Sequence, residues 1–207
     1  MESAPLVFVH AIEPEDRARA DFYAVLATLF RDAPTAQVLQ AIAAAGRLPE
    51  AASGVLPARW NRLVDACGAM DVEAARQEYW ELFVGVGKCE INLHASHWQT
   101  GFMMEKPLVE LRHDLARLGL GRKPESELLE DHLASLCETM RLLIEGGPDR
   151  RPSDIATQQQ IFERHLLPWV PQMCAVLTQN ELANFYRPVG EFTDAFVAIE
   201  RDSFAIA

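Results

Sequence analysis

Wherever this chain has a hydrophobic period it is the helical one, and nowhere do apolar and polar residues alternate long enough for a half-buried strand. In "RARADFYAVLATLF", Phe22, Val25, Leu26, Leu29 and Phe30 line one face of a helix that Asp32 to Pro34 close. A shorter helix in "TAQVLQAIAAAG" ends at Gly46, and "PARWNRLVDACG" opens on a proline suited to a first turn. Asp71 is placed to cap "VEAARQEYWELFVG", whose inward stripe is Val72, Ala75, Tyr79, Leu82 and Phe83 and whose stop is Gly85.

The later segments follow the same rule. Leu108, Leu111, Leu115 and Leu118 predict a helix ending at Gly119, and Ser126 is placed to cap one that runs through "LLEDHLASLCETM" to Gly146. A helix kinked at Pro168, then "QMCAVLTQNELANFY", then a last helix after Pro188 and Gly190 complete the reading. The expectation is one all-α domain over residues 1–207, a helical bundle without repeats.

Composition narrows the function. A formal charge of −11 disfavours nucleic acid and anionic lipid, since phosphate contacts need basic groups. No apolar run reaches the eighteen or so residues of a membrane span, and the N-terminus lacks the basic and apolar regions of a secretory signal. Cys67, Cys89, Cys137 and Cys174 form no close pair, which fits reduced thiols in the cytoplasm. Membrane insertion is not expected.

Chemistry has few footholds. Asp131 and His132 are adjacent, and neighbours on a helix do not face each other, so a dyad made of these two is poor. On the predicted helix His132 points along the leucine stripe, while Asp131 turns to the polar flank near Glu127 and Ser135. A hydrogen-bonded histidine at the core edge beside a solvated aspartate is the plain alternative to a site. His94 and His97 in "HASH" are spaced for two ligands, but with no HExxH, adjacent carboxylate or cysteine pair no metal is expected. "GVGKCE" departs from a phosphate loop, with one residue between its glycines and cysteine after Lys88. Ser96 lacks the context of a catalytic serine. Irregular segments such as 85–98 are where binding residues are often placed. Aromatic residues crowd around it, among them Tyr79, Trp80, Phe83 and Trp98.

Taken in order, "EYWELFVG" at 78–85, "LHASHW" at 93–98, "DHLASLCETM" at 131–140 and "HLLPW" at 165–169 resemble the TorD/DmsD/NarJ-type family of redox-enzyme maturation chaperones, over roughly residues 17–185. The family's EYxxLFxG block is complete; its YxSxY-like segment keeps Ser96, with His94 and Trp98 at the aromatic ends. Its Glu-Pro-x-Asp-His signature is reduced to Asp131 and His132. The resemblance implies a non-enzymatic cytoplasmic chaperone with no cofactor of its own. It implies binding of an apo-molybdoenzyme precursor, commonly at its twin-arginine leader peptide, until cofactor insertion and export. It also implies exchange of helices between subunits, hence monomer and dimer together. The expected peptide-binding residues are Asp131, His132, Tyr79, Trp80, Phe83, Gly85, His94, Ser96, Trp98 and Leu129. A nucleotide or small-molecule site built from the 85–98 loop with Asp131 and His132 is the competing expectation.

Overall fold

The computed structural model describes residues 12–49, 54–85, 89–148 and 150–206. Among these residues lie ten α-helices: α1 (Pro14–Arg31), α2 (Ala36–Ala44), α3 (Val55–Ala69), α4 (Val72–Tyr79), α5 (Ala95–Thr100), α6 (Lys106–Arg117), α7 (Leu133–Glu145), α8 (Ile155–His165), α9 (Val170–Gln179) and α10 (Tyr186–Phe204). A π-helical turn, Trp80–Val84, continues α4. The fold is all-α, as the periodicity predicts.

Helix α1 packs along α7, and α10 packs against α9 and α3. The α1 stripe read from sequence supplies Leu26, Leu29 and Phe30 to the core, while Phe22 meets Trp60, Phe192 and Phe196 at ring separations of 5.1 to 5.5 Å. Burial of such rings contributes both apolar area and edge-to-face contacts. One charged group is carried into this core with its partners: Glu200 accepts two hydrogen bonds from Arg19 and one from the Tyr23 hydroxyl.

Several boundaries differ from those predicted, each for a local reason. The stretch "IATQQQIFERHLLPWV" is broken between α8 and α9 rather than kinked, because proline disfavours helical geometry in the residue before it. At the break, His165 bonds Asp114 of α6 at 2.9 Å and the indole N–H of the fully buried Trp169 donates to the His165 carbonyl. Helix α3 begins at Val55, two residues before Pro57.

Helix α10 begins at Tyr186, before Pro188 and Gly190, which puts Pro188 within the first turn where its missing N–H costs nothing. The cap comes from far away in sequence. Glu78 of α4, 6% exposed, accepts the backbone N–H groups of Asn184 and Tyr186 on Oε1 and that of Phe185 on Oε2, all within 2.7 to 2.9 Å. An anion at this end also meets the positive pole of the helix.

The stretch "LLEDHLASLCETM" departs furthest from the helix its leucine period predicts. Helix α7 starts at Leu133, not near Ser126, and residues 129–132 form a turn closed by His132 N–H on the Leu129 carbonyl at 3.2 Å. Two backbone bonds take the would-be helical groups elsewhere: the Asp131 carbonyl accepts from Ala95 N–H at 3.0 Å, and Leu133 N–H donates to the Leu93 carbonyl at 2.8 Å. The pairing is a single antiparallel bridge between His94 and His132.

Candidate functional site

Built from that bridge, the adjacent Asp131 and His132 cap two different helices. Helix α5 lacks a side-chain cap of its own, since His94 at its N-cap makes none. Asp131 supplies it from across the bridge: Oδ2 accepts from Ser96 N–H at 3.0 Å and from the Ser96 hydroxyl at 2.6 Å. His132 is the N-cap of α7, its Nδ1 accepting from Ala134 N–H at 3.1 Å. Neither residue acts on the other.

Asp131 is 0% exposed and Ser96 likewise, so the placement of Asp131 on a solvated flank is corrected: it lies under the 89–98 segment, held there by the α5 amides. Its Oδ1 is buried with no hydrogen-bond partner among the described protein atoms. The His94 ring stands edge-on to the His132 ring at 4.9 Å, with Nδ1 toward Asn92 Oδ1 at 3.1 Å. Asn92 is the pivot of the segment, bonding His94 N–H through its side chain and the Trp98 indole through its carbonyl.

Burial holds the His132 imidazole down to about 3, helped by His94 and Arg31, and burial also lowers His94, with Asp131 opposing and His97 adding to the effect. The imidazole that caps α7 is therefore neutral at neutral pH, with Nδ1 the acceptor. Because the folded value lies below the ordinary one of about 6.5, the unfolded chain binds the extra proton, and stability falls as pH drops from 6.5 toward 3. Asparagine retains the cap and removes the titration. The stability of the wild type relative to His132→Asn, read from urea unfolding, is expected to fall by about 1 to 2 kcal/mol between pH 7 and pH 5. A difference that stays constant across that range would contradict this account of His132.

The other sequence-predicted residues divide by burial. Tyr79 is buried, its hydroxyl facing the Phe30 carbonyl at 3.4 Å, and with Phe83 and Tyr186 it forms an aromatic cluster. Phe83, Gly85, His94, Trp98 and Leu129 are half-buried, and Trp80 is 51% exposed. Gly85 ends the π turn at φ +64°, a conformation that side chains disfavour, and its N–H returns to the Trp80 carbonyl. Residues 86–88, the centre of "GVGKCE", lie outside the described residues. The two histidines of "HASH" do not share a helical face, since His94 is extended and its ring turns to His132. No group of three or more His, Cys, Asp or Glu among the described residues is arranged to hold a metal ion.

Sequence reasoning missed Phe102, Met103 and Met104. They follow α5, are 70%, 37% and 67% exposed, and Met104 adopts φ +58°, which a non-glycine residue rarely does. Apolar character reads as core by default; the signal available was a triplet enclosed by Gly101 and Pro107, too short to form a buried face. The Met103 sulfur meets the Asn92 amide at 3.5 Å, and Ile91 N–H bonds the Leu82 carbonyl of the π turn. These contacts tie the triplet, the 89–94 segment and the turn bearing Trp80 and Val84 (42% exposed) into one neighbourhood. Glu81, Glu90 and Glu105 are exposed within those same segments.

The family described as nitrate reductase delta subunit matches residues 49–175. A crystal structure of a protein from Archaeoglobus fulgidus, described as a redox enzyme maturation protein, is similar over 95% of this chain and 99% of its own, with 14% identity and a TM-score of 0.58. At that identity the likeness shows the fold. No curated protein matches the chain. No described helix is long and apolar enough to cross a membrane.

Proposed function

Since the chain belongs to the nitrate reductase delta subunit family of redox-enzyme maturation chaperones, which are not enzymes, we propose that it holds the apo form of a molybdoenzyme precursor by the twin-arginine leader until the cofactor is inserted. The observation that carries this reading is the exposure of Trp80, Val84, Phe102, Met103 and Met104 on neighbouring segments that also bear the exposed Glu81, Glu90 and Glu105. A twin-arginine leader is a basic pair followed by a modestly apolar stretch. Methionine adapts to varied apolar partners, and carboxylates meet guanidinium groups through paired hydrogen bonds. Large apolar side chains left exposed on adjoining segments are a mark of interaction sites.

Within this reading the residues take two roles. Trp80, Phe83, Trp98 and Leu129 contribute contact area alongside the Phe102 to Met104 triplet, and His94 and Gly85 shape its edge. Asp131, His132, Ser96 and Tyr79 position the segments that present it. Asp131 meets no solvent, so the first encounter with arginine falls to the exposed glutamates. Such a chaperone works in the cytoplasm, where the precursor is made.

The test is capture of the tagged full chain from its host grown without oxygen, with and without Trp80→Ala combined with Met104→Ser. A molybdoenzyme precursor still carrying its leader is expected with the wild type and lost with the variant. Recovery of no molybdoenzyme, or of mature enzyme without the leader, would remove the reading.

A further inference from the structure

Next to the turn that carries Asp131 and His132, but outside the leader surface proposed above, the charge of the molecule changes sign. A cavity of about 470 Å³ between the end of α1, α7 and the 120–130 connection is lined by Arg31, Arg122, Lys123 and Arg141. Only two carboxylates line it, Glu130 and Glu138, in a chain whose net charge is −11.

Both carboxylates are already engaged. Glu130 accepts two hydrogen bonds from Arg112, at 3.0 and 2.9 Å, and Glu138 accepts two from Arg141, at 3.1 and 2.9 Å. Three cations keep donor capacity toward the cavity. Arg31 stands 3.8 Å from Glu138, too far for a hydrogen bond; Arg122 gives one N–H to the Ser126 carbonyl; and the Lys123 ammonium, whose backbone carbonyl accepts from Ser126 N–H, has no ion-pair or hydrogen-bond partner among the described residues. Like charges brought together from two parts of the chain repel, and a multiply charged anion relieves that repulsion. Arginine forks match phosphate oxygens in pairs, and lysine adds a point charge. Leu115, Leu120 and Leu142 give the cavity an apolar floor, so there is room for more than a bare anion.

We propose that this cavity binds a small phosphate-bearing molecule, its phosphate or diphosphate between Arg31 and the Arg122–Lys123 pair and an apolar or planar body on the three leucines. Carboxylate side chains of a protein partner fit less well, since the cations converge on one cavity rather than along a surface. The site is independent of the leader reading.

Calorimetric titration of the full chain with inorganic diphosphate tests it, using wild type, Lys123→Gln, Arg122→Gln/Lys123→Gln and Arg31→Gln, with Arg201→Gln as a control that matches the charge change of the single variants at an exposed position elsewhere. Saturable 1:1 binding is expected, weakened at least about tenfold in the double variant and in Arg31→Gln, less in Lys123→Gln, and unchanged in Arg201→Gln. Adenosine diphosphate is expected to bind more tightly than diphosphate, and equal or weaker affinity would overturn the placement of a planar body on the leucines. Absence of saturation at millimolar diphosphate would overturn the proposal, as would equal weakening in Arg201→Gln. Association with anionic phospholipid vesicles without diphosphate binding would overturn it in favour of a membrane surface. If the double variant or Arg31→Gln fails to fold, Lys123→Gln decides, since that side chain is exposed and makes no described contact. Leader affinity should be unchanged in all these variants, so the two proposals fail separately.

Discussion

Glu78→Gln is expected to destabilise the chain by about 2 to 4 kcal/mol, far more than an ordinary polar substitution. The carboxylate offers two oxygens to three backbone N–H groups at the start of α10, at 2.7 to 2.9 Å, in a site 6% open to solvent. Glutamine keeps one oxygen and turns an NH₂ group toward a donor, so at least one amide is left buried and unpaired while the favourable charge at the helix N-terminus is lost. Helix α10 supplies Phe192 and Phe196 to the aromatic core, which extends the damage beyond its first turn. For a chain of this size the loss corresponds to a fall in Tm of roughly 5 to 15 °C, readable by calorimetry. A shift below about 2 °C would show that water replaces the carboxylate at little cost. The first residue of the "EYWELFVG" block is thus a structural cap between distant parts of the chain.

Asp131→Ala is expected to cost about 2 to 4 kcal/mol, by leaving the Ser96 N–H and hydroxyl without an acceptor in a fully buried site. Asp131→Asn should lose less, since one amide oxygen can still accept one of the two bonds. Removing both partners in Asp131→Ala/Ser96→Ala should cost less than the sum of the single changes, with a coupling of about 1 to 3 kcal/mol. Strict additivity would mean that the two side chains do not act as a pair. The same substitutions should weaken leader binding, because Asp131 holds α5 and, through it, the segment that ends in Phe102 to Met104.

What the sequence makes legible are features whose cause is local. Asp71 accepts from Ala74 N–H as a cap should, Gly46 and Gly119 adopt positive φ where helices end, and the leucines of α6 and α7 are buried at their predicted spacing. What it hides are features whose cause is distant. The leucine period runs back from α7 through Leu129, so a helix starting at Ser126 looks continuous; nothing in the sequence announces that Leu93 and Ala95 claim the backbone of Leu133 and Asp131. Histidine is an uncommon N-cap, and the cap of α10 comes from a residue more than a hundred positions earlier. The resemblance singled out Asp131, His132 and Ser96 as a set, and the bridge brings them together, but as caps beneath the surface rather than as groups facing solvent. The exposed triplet after α5 was hidden because apolar residues read as core.

Recognition of a precursor by its leader is decided by titrating the full chain with a synthetic twin-arginine leader from a molybdoenzyme of the same host, alongside the peptide with both arginines changed to glutamine. Saturable binding is expected that weakens with added salt, falls by at least about tenfold for the glutamine peptide, and is reduced by Trp80→Ala with Met104→Ser. Equal affinity for the two peptides, or no binding of either at millimolar concentration, would contradict it.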